Sequence, residues 1–213
     1  MLKANRKTLV ITSIVTILPI LIGVIYWNRL PDMMATRFGT SNEANGFSSK
    51  AFTVFGLPAF LLAVHWLCAL ITAHDPKKKN ISPKMFTLVL WCIPVISMIV
   101  AAIVYPINLG YQMDITFYME LLLGMMFVII GNYLPKARQN YTIGIKIPWT
   151  LANEENWNQT HRFAGYLWMI CGLLIIIACL TRLVPAEWLI GILVIMVLVP
   201  CIYSYWLHAK KDL

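Results

Sequence analysis

The chain has 213 residues, of which 60% are hydrophobic and only 12% are charged, and its mean hydropathy is +0.73. Because soluble domains carry about 25% charged residues, this composition excludes an ordinary soluble domain and indicates a membrane protein. The net charge of +8 does not indicate nucleic-acid binding, since the lysines and arginines lie between apolar segments. All five cysteines lie in apolar segments without metal-ligand spacing, so no zinc site, disulfide framework or cofactor is predicted.

Six apolar segments are long enough to span a bilayer, which takes about 20 helical residues. Their predicted limits are 8–27, 52–73, 86–107, 116–134, 163–180 and 188–207. The first segment is longer than the apolar part of a signal peptide, and no small-residue cleavage site follows it, so we interpret it as a retained span. The predicted fold class is all-α, a polytopic membrane helix bundle with two three-span regions, 1–115 and 116–213.

The distribution of basic residues predicts the orientation of these spans. With the N-terminus inside, 13 of the 17 lysines and arginines fall in the inner segments and 4 in the outer ones. Because lysine and arginine are retained on the cytoplasmic side, both termini are predicted to be cytoplasmic. The segment 131–166 is then cytoplasmic, and 28–51 is the one long outer loop.

The two N-terminal connections invite different interpretations. The outer loop 28–51 contains Asn45-Gly46, which favours a tight turn, so we expect the loop to fold back against the ends of the spans. The alternative is a solvated connector. The inner loop 74–85 carries Lys77-Lys78-Lys79, which either binds anionic lipid headgroups or serves as a topology signal alone. We favour the topology signal for this second loop.

Two polar residues are predicted to lie within the spans. Glu120 falls about one turn into the fourth span, and His65 falls within the second. Polar groups at membrane depth are costly and often functional, so both are candidates for an ion or proton pathway. The alternatives are a charge at a helix terminus for Glu120 and a hydrogen bond to a neighbouring helix for His65.

The segment 131–166 is the longest polar run and the first candidate for a functional site. Leu134-Pro135 is predicted to end the fourth helix, and the alternation over 141–147 predicts a short extended segment with one apolar face. Thr150 or Asn153 is predicted to cap a helix that runs to residue 180. The tryptophans are either part of a shaped site or members of an interfacial belt. The candidate binding residues are Asn132, Lys136, Arg138, Asn140, Gly144, Lys146, Pro148, Trp149, Trp157, His161 and Arg162.

Catalytic motifs are absent from the sequence. It contains no serine nucleophile elbow, no HExxH zinc motif, no phosphate-binding glycine loop and no cysteine–histidine pair at a useful spacing. We therefore predict that the protein is not an enzyme. A lipid-handling enzyme that uses the polar segment at headgroup level is the weakest of the alternatives.

The polar segment resembles the signature of the SdpI family of bacterial integral membrane proteins. The resemblance rests on 131–136 (GNYLPK), 138–140 (RQN), 143–146 (IGIK), 148–151 (PWTL), Trp157 and 160–162 (THR). The outer loop, through Leu30-Pro31 and Ser49-Lys50, is similar to a domain of unknown function that often precedes this signature. Together the two resemblances cover most of the chain.

The resemblance implies a non-enzymatic protein of the bacterial cytoplasmic membrane. Its family is named for immunity to a secreted peptide toxin of the SDP type, and some members pass the presence of the toxin to a cytoplasmic repressor. The implied partners are membrane lipids, a toxin outside and a repressor inside, with no direct binding of nucleic acid. A small transporter or channel is the alternative, motivated by Glu120, His65 and the prolines within the spans.

Overall fold

The structure, a computed structural model, describes residues 1–39, 42–182 and 187–211. The chain forms two compact units, one of Met1–His74 with Pro83–Ile115 and the other of Asp75–Ser82 with Thr116–Leu213. The connection between the second and third spans therefore packs with the second unit. The division into domains 1–115 and 116–213 stays a prediction.

In the first unit, the residues that the structure describes form three long helices and a β-hairpin. Its helices are α1 (Arg6–Ile25), α2 (Leu57–Ala73) and α3 (Pro83–Asn108), and the π-helical turn Phe52–Gly56 leads into α2. Their sequences are almost wholly apolar, as burial in lipid requires.

Buried polar side chains join these three helices. Thr12 Oγ1 lies 3.1 Å from His65 Nε2, and Ser97 Oγ donates to the Thr16 carbonyl at 2.8 Å. Such bonds stabilise helix contacts because lipid offers no competing partner. His65 thus makes the interhelical hydrogen bond that was the alternative to a proton relay.

The hairpin pairs β1 (Met33–Phe38) with β2 (Ala44–Ser49) in antiparallel register. Its fully buried Met34 packs with Leu30 and Val54, while the Asn108 side chain accepts from the Ala35 amide and donates to the Ala35 carbonyl. The predicted folding back of this loop is confirmed for the described residues. The turn was placed wrongly, however, since Asn45-Gly46 lies inside β2.

The described residues of the second unit form four helices: α4 (Ile115–Tyr133), α5 (Pro148–Ala152), α6 (Glu154–Thr181) and α7 (Trp188–Lys211). Short 3-10 turns cover Lys78–Asn80 and Leu134–Lys136. Glycines allow α4 and α6 to touch. A Cβ on Gly131 would lie 2.8 Å from the Gly165 carbonyl oxygen, and one on Gly172 would lie 2.7 Å from that of Gly124.

Six helices in the described part of the chain are long and apolar enough to cross a membrane. The predicted helical fold with six spans is confirmed, and the hairpin is an element that the all-α class did not include. The apolar segment predicted at 163–180 is the C-terminal part of a longer helix that begins at Glu154, which confirms the predicted helix from a cap at Asn153 to residue 180. The first turns of this helix are amphipathic, so hydropathy alone detects only its later part.

Candidate functional site

The connection between α4 and α6 follows an irregular path of bends. The predicted extended segment over 141–147 is wrong, because the structure has no strand there. Gly144 adopts φ +124°, which turns the chain out of an extended course. The polar backbone groups of this connection are bonded largely by side chains, which come from several different elements.

A stacked pair of rings supports the middle of the connection. Trp157 and His161, one turn apart on α6, are fully buried, with ring centroids 3.9 Å apart and planes inclined by 19°. Trp157 Nε1 donates to the Ala137 carbonyl at 2.7 Å. Trp157 is therefore an internal structural residue and does not belong to an interfacial belt.

The hydrogen bonds of His161 determine its tautomer. Its Nδ1 lies 2.8 Å from the Trp157 carbonyl oxygen, and its Nε2 lies 2.9 Å from the Ile145 amide nitrogen. A carbonyl oxygen only accepts, and a backbone N–H only donates. His161 is therefore a neutral imidazole that carries its proton on Nδ1, and it holds the loop backbone in place.

Gly144 lies directly against this ring pair. A Cβ at this position would lie 2.4 Å from His161 Nε2 and 3.0 Å from the Trp157 ring. Both the left-handed φ and the lack of space therefore require glycine.

Asn140 stabilises the preceding bend through both the oxygen and the nitrogen of its side-chain amide. Its Oδ1 accepts from the amides of Thr142 and Ile143, and its Nδ2 donates to the carbonyls of Arg138 and Ile143. The side chain is 2% exposed, so these four bonds replace those that water would otherwise make.

A second loop, Asp75–Ser82, is bonded to the same connection. The Asp75 carboxylate accepts from the Tyr141 amide at 2.9 Å and from the Thr142 hydroxyl, and it is only 3% exposed. Gln139 accepts from Lys77 Nζ at its side chain and from Asn80 Nδ2 at its carbonyl.

Sequence reasoning missed Asp75 and Gln139 as site residues. Asp75 had a detectable signal, because it is the only acid in a lysine-rich loop and precedes a proline, a pattern that favours turns. Gln139 was part of the signature at 138–140, but its bonds to Lys77 and to the carbonyls of Thr150 and Leu151 could not be identified from the sequence.

The two predicted caps have different roles. Asn153 caps α6, and its Oδ1 accepts from the amides of Glu155 and Asn156, as predicted. Thr150 instead lies inside α5, where its hydroxyl accepts from the Ile147 amide and donates to the Ile145 carbonyl. Thr150 therefore stabilises the backbone just before α5, at Ile145 and Ile147.

The predicted candidates divide into a buried and an exposed group. Asn140, Trp157 and His161 are buried beside Gly144 and shape the connection. The exposed group surrounds it and consists of Asn132, Lys136, Arg138, Lys146, Pro148 and Arg162.

Trp149 is half-buried, and its ring lies 5.1 Å from that of Tyr205 and 6.2 Å from that of His208. The remaining candidates lie elsewhere. Glu120 is half-buried near the other end of α4, about 20 Å from the connection by helical rise. His65 belongs to the first unit. Within the described residues, no cluster of histidine, cysteine or acidic side chains could hold a metal ion.

Comparison with known proteins gives matches over both units. Residues 136–204 match the model of the SdpI/YfhL protein family, and residues 14–62 match a domain of unknown function, DUF1648. The chain is 25% identical over 202 residues to the immunity protein SdpI of Bacillus subtilis (strain 168), covering 93% of this chain and 92% of that protein. No solved structure gives a significant match. Residues 136–204, which include the bent connection, are thus similar to the SdpI/YfhL protein family, and the six helices that can span a membrane make the chain a multi-pass protein of the bacterial membrane.

Proposed function

We propose that this chain is an immunity protein that protects a bacterium from a secreted peptide toxin. The observation that carries the proposal is the similarity to a protein named for immunity, which extends over 93% of this chain. The similarity therefore includes the hairpin region as well as the bent connection.

We assign the toxin-facing role to the hairpin. The charge distribution favours an outer location for this loop, with 13 basic residues inside and 4 outside. Met33 and Phe47 are each 57% exposed, whereas Met34 between them in the sheet is completely buried. Exposed apolar side chains on a rigid element commonly mark interaction sites, and an apolar peptide would gain by covering them.

The bent connection is the proposed output surface toward a cytoplasmic repressor. Arg138, Lys146 and Arg162 are exposed around a backbone that buried side chains hold in one shape. Their side chains make no hydrogen bond or salt bridge with the residues that the structure describes. A rigid surface of available cations suits recognition of an acidic partner.

The decisive experiment is survival of a toxin-sensitive bacterium that expresses this chain during challenge with an SDP-type peptide. We expect protection by the parent chain and its loss in a Met33→Ser/Phe47→Ser variant at matched membrane levels. Ala44→Ser, on the same hairpin, should still protect. A well-inserted parent chain that gives no protection would refute immunity for this protein.

The relay is tested separately by membrane recruitment of a fluorescent repressor from the same genome in the presence of toxin. Lys146→Ala and Trp149→Ala should abolish recruitment while membrane insertion and protection persist. Recruitment that is unaffected by both substitutions would remove the relay from this surface without touching the immunity proposal.

A further inference from the structure

We propose that the second unit carries a binding surface for the phosphate groups of anionic phospholipids, formed by Lys78, Lys79 and Arg138. The three cations come from two loops that are about 60 positions apart in the sequence. The fold brings them onto one surface. This inference does not depend on the proposed immunity function.

Hydrogen bonds on both sides of the cations fix the two loops together. Lys77 and Asn80, which flank Lys78 and Lys79, both bond to Gln139, the residue that follows Arg138. The Asn80 Nδ2 to Gln139 carbonyl distance is 2.8 Å. Arg138 is therefore adjacent to Gln139 in sequence, and Lys78 and Lys79 are each adjacent to a residue that bonds to Gln139.

The hydrogen bonds of Asp75, which also join the two loops, explain why the positive charge is not neutralised. Asp75, the only acid of its loop, is buried and accepts from the backbone amides of Lys77 and Tyr141 and from the hydroxyl of Thr142. Its charge is therefore satisfied by neutral donors inside the unit.

The cations themselves are exposed. Among the residues that the structure describes, Lys78, Lys79 and Arg138 form no salt bridge. Clustered like charges raise the local positive potential, which favours an anionic ligand. Arginine binds phosphate oxygens in a bidentate manner, and the two lysines add point charges.

The position of the surface favours lipid over a soluble ligand. Arg138 follows the turn that ends α4, and Lys78 and Lys79 lie between the end of α2 and the start of α3. Tyr141 beside them is 48% exposed, and Lys77 Nζ lies 5.6 Å from its ring centroid. Tyrosine next to lysine and arginine at the ends of spans is typical of the headgroup layer, where lipid phosphates are concentrated.

The test measures lipid binding to the detergent-solubilised full chain by native mass spectrometry, once with phosphatidylglycerol and once with phosphatidylcholine. The variant Lys78→Gln/Lys79→Gln/Arg138→Gln should lose at least about tenfold in apparent affinity for phosphatidylglycerol. The control Lys3→Gln/Arg6→Gln/Lys7→Gln removes the same charge from exposed residues at the start of α1 and just before it, and it should change this affinity less than about threefold. Phosphatidylcholine binding should be equal in all three proteins.

A second variant tests whether the two loops must be held together, without changing the charge. Gln139→Ala retains all three cations but removes the anchor, so we expect an intermediate loss of phosphatidylglycerol affinity. Equal losses in the two triple variants, or no preference for phosphatidylglycerol over phosphatidylcholine, would overturn the proposal. Displacement of the lipid by millimolar inorganic phosphate would also overturn it, because the surface would then recognise soluble phosphate.

Discussion

The hairpin of the first unit and the bent connection of the second are both long segments between apolar helices. They differ in how their backbone amides and carbonyls are hydrogen-bonded. In the hairpin, β1 and β2 pair with each other over five registered positions. In the connection over 137–153, the amides and carbonyls bond largely to side chains, among them those of Asp75, Asn140, Thr150 and His161.

This difference determines where the sequence is constrained. A β-ladder uses groups that every residue except proline possesses, so many side chains can be exchanged without loss of pairing. A bent path needs a particular donor or acceptor at each position, and a buried group that loses its partner costs about 1–3 kcal/mol. The dense signature at 131–162 thus has a structural origin in addition to any recognition role.

The largest expected effect is that of Gly144→Ala. The new methyl group would add a clash with His161 to the strain of a positive φ, so we expect a loss of more than about 3 kcal/mol in unfolding free energy. The measurement is the thermal unfolding midpoint in detergent. Gly110→Ala is the matched control, because Gly110 has φ +93° with no atom nearby, and it should lose only about 1 kcal/mol. Equal effects would show that the ring pair does not support the loop.

Asn140→Asp is expected to cost about 3 kcal/mol. The carboxylate retains the two accepted bonds, but it leaves the carbonyls of Arg138 and Ile143 without donors and places a negative charge against them. Thermal unfolding again provides the readout. The control Asn132→Asp is on an exposed side chain that already contacts Lys136, and it should be neutral or slightly stabilising.

Trp157→Phe should cost about 2 kcal/mol, because it keeps most of the ring but leaves the Ala137 carbonyl without its donor. Trp149→Phe is the comparison, since the Trp149 indole makes ring contacts but no side-chain hydrogen bond with the described residues, and we expect less than about 1 kcal/mol. A reversed order of the two unfolding midpoints would contradict the internal role of Trp157.

The smallest effect is expected in the hairpin. Phe47→Ser should change unfolding free energy by no more than about 0.5 kcal/mol, because the side chain is mostly exposed and the strand pairing needs only its backbone. Met34→Ala on the adjacent strand should cost about 2–5 kcal/mol by emptying a fully buried site. A strongly destabilised Phe47→Ser protein would refute the view that this hairpin is held by its ladder and by Met34.

Several local features of the chain were predictable because they depend on neighbouring residues. The six spans follow from hydropathy summed over about 20 residues, and the Asn153 cap follows from an asparagine placed before two acids. The interhelical bond of His65 was one of two alternatives, and only the position of Thr12 on a neighbouring helix decided between them.

Features that need partners distant in sequence were not predictable. Alternation over 141–147 favoured an extended segment, but the amides there bond to Asp75, Asn140 and His161 rather than to a strand. The Asn45-Gly46 pair favoured a turn, yet the strand register placed it inside β2. In both cases tertiary contacts overrode a weak local preference.

The sequence by itself determined the membrane class, the number of spans and the resemblance to the SdpI/YfhL family, because hydropathy and a long motif can be read along the chain. Only the tertiary structure decided that Asn140, Gly144, Trp157 and His161 shape the connection from within while Arg138 and Lys146 face outward. Only the tertiary structure showed that the loop Asp75–Ser82 is hydrogen-bonded to Gln139. The physical reason is that a buried polar group must find its partner in space, and the sequence does not specify which distant residue the fold brings to it.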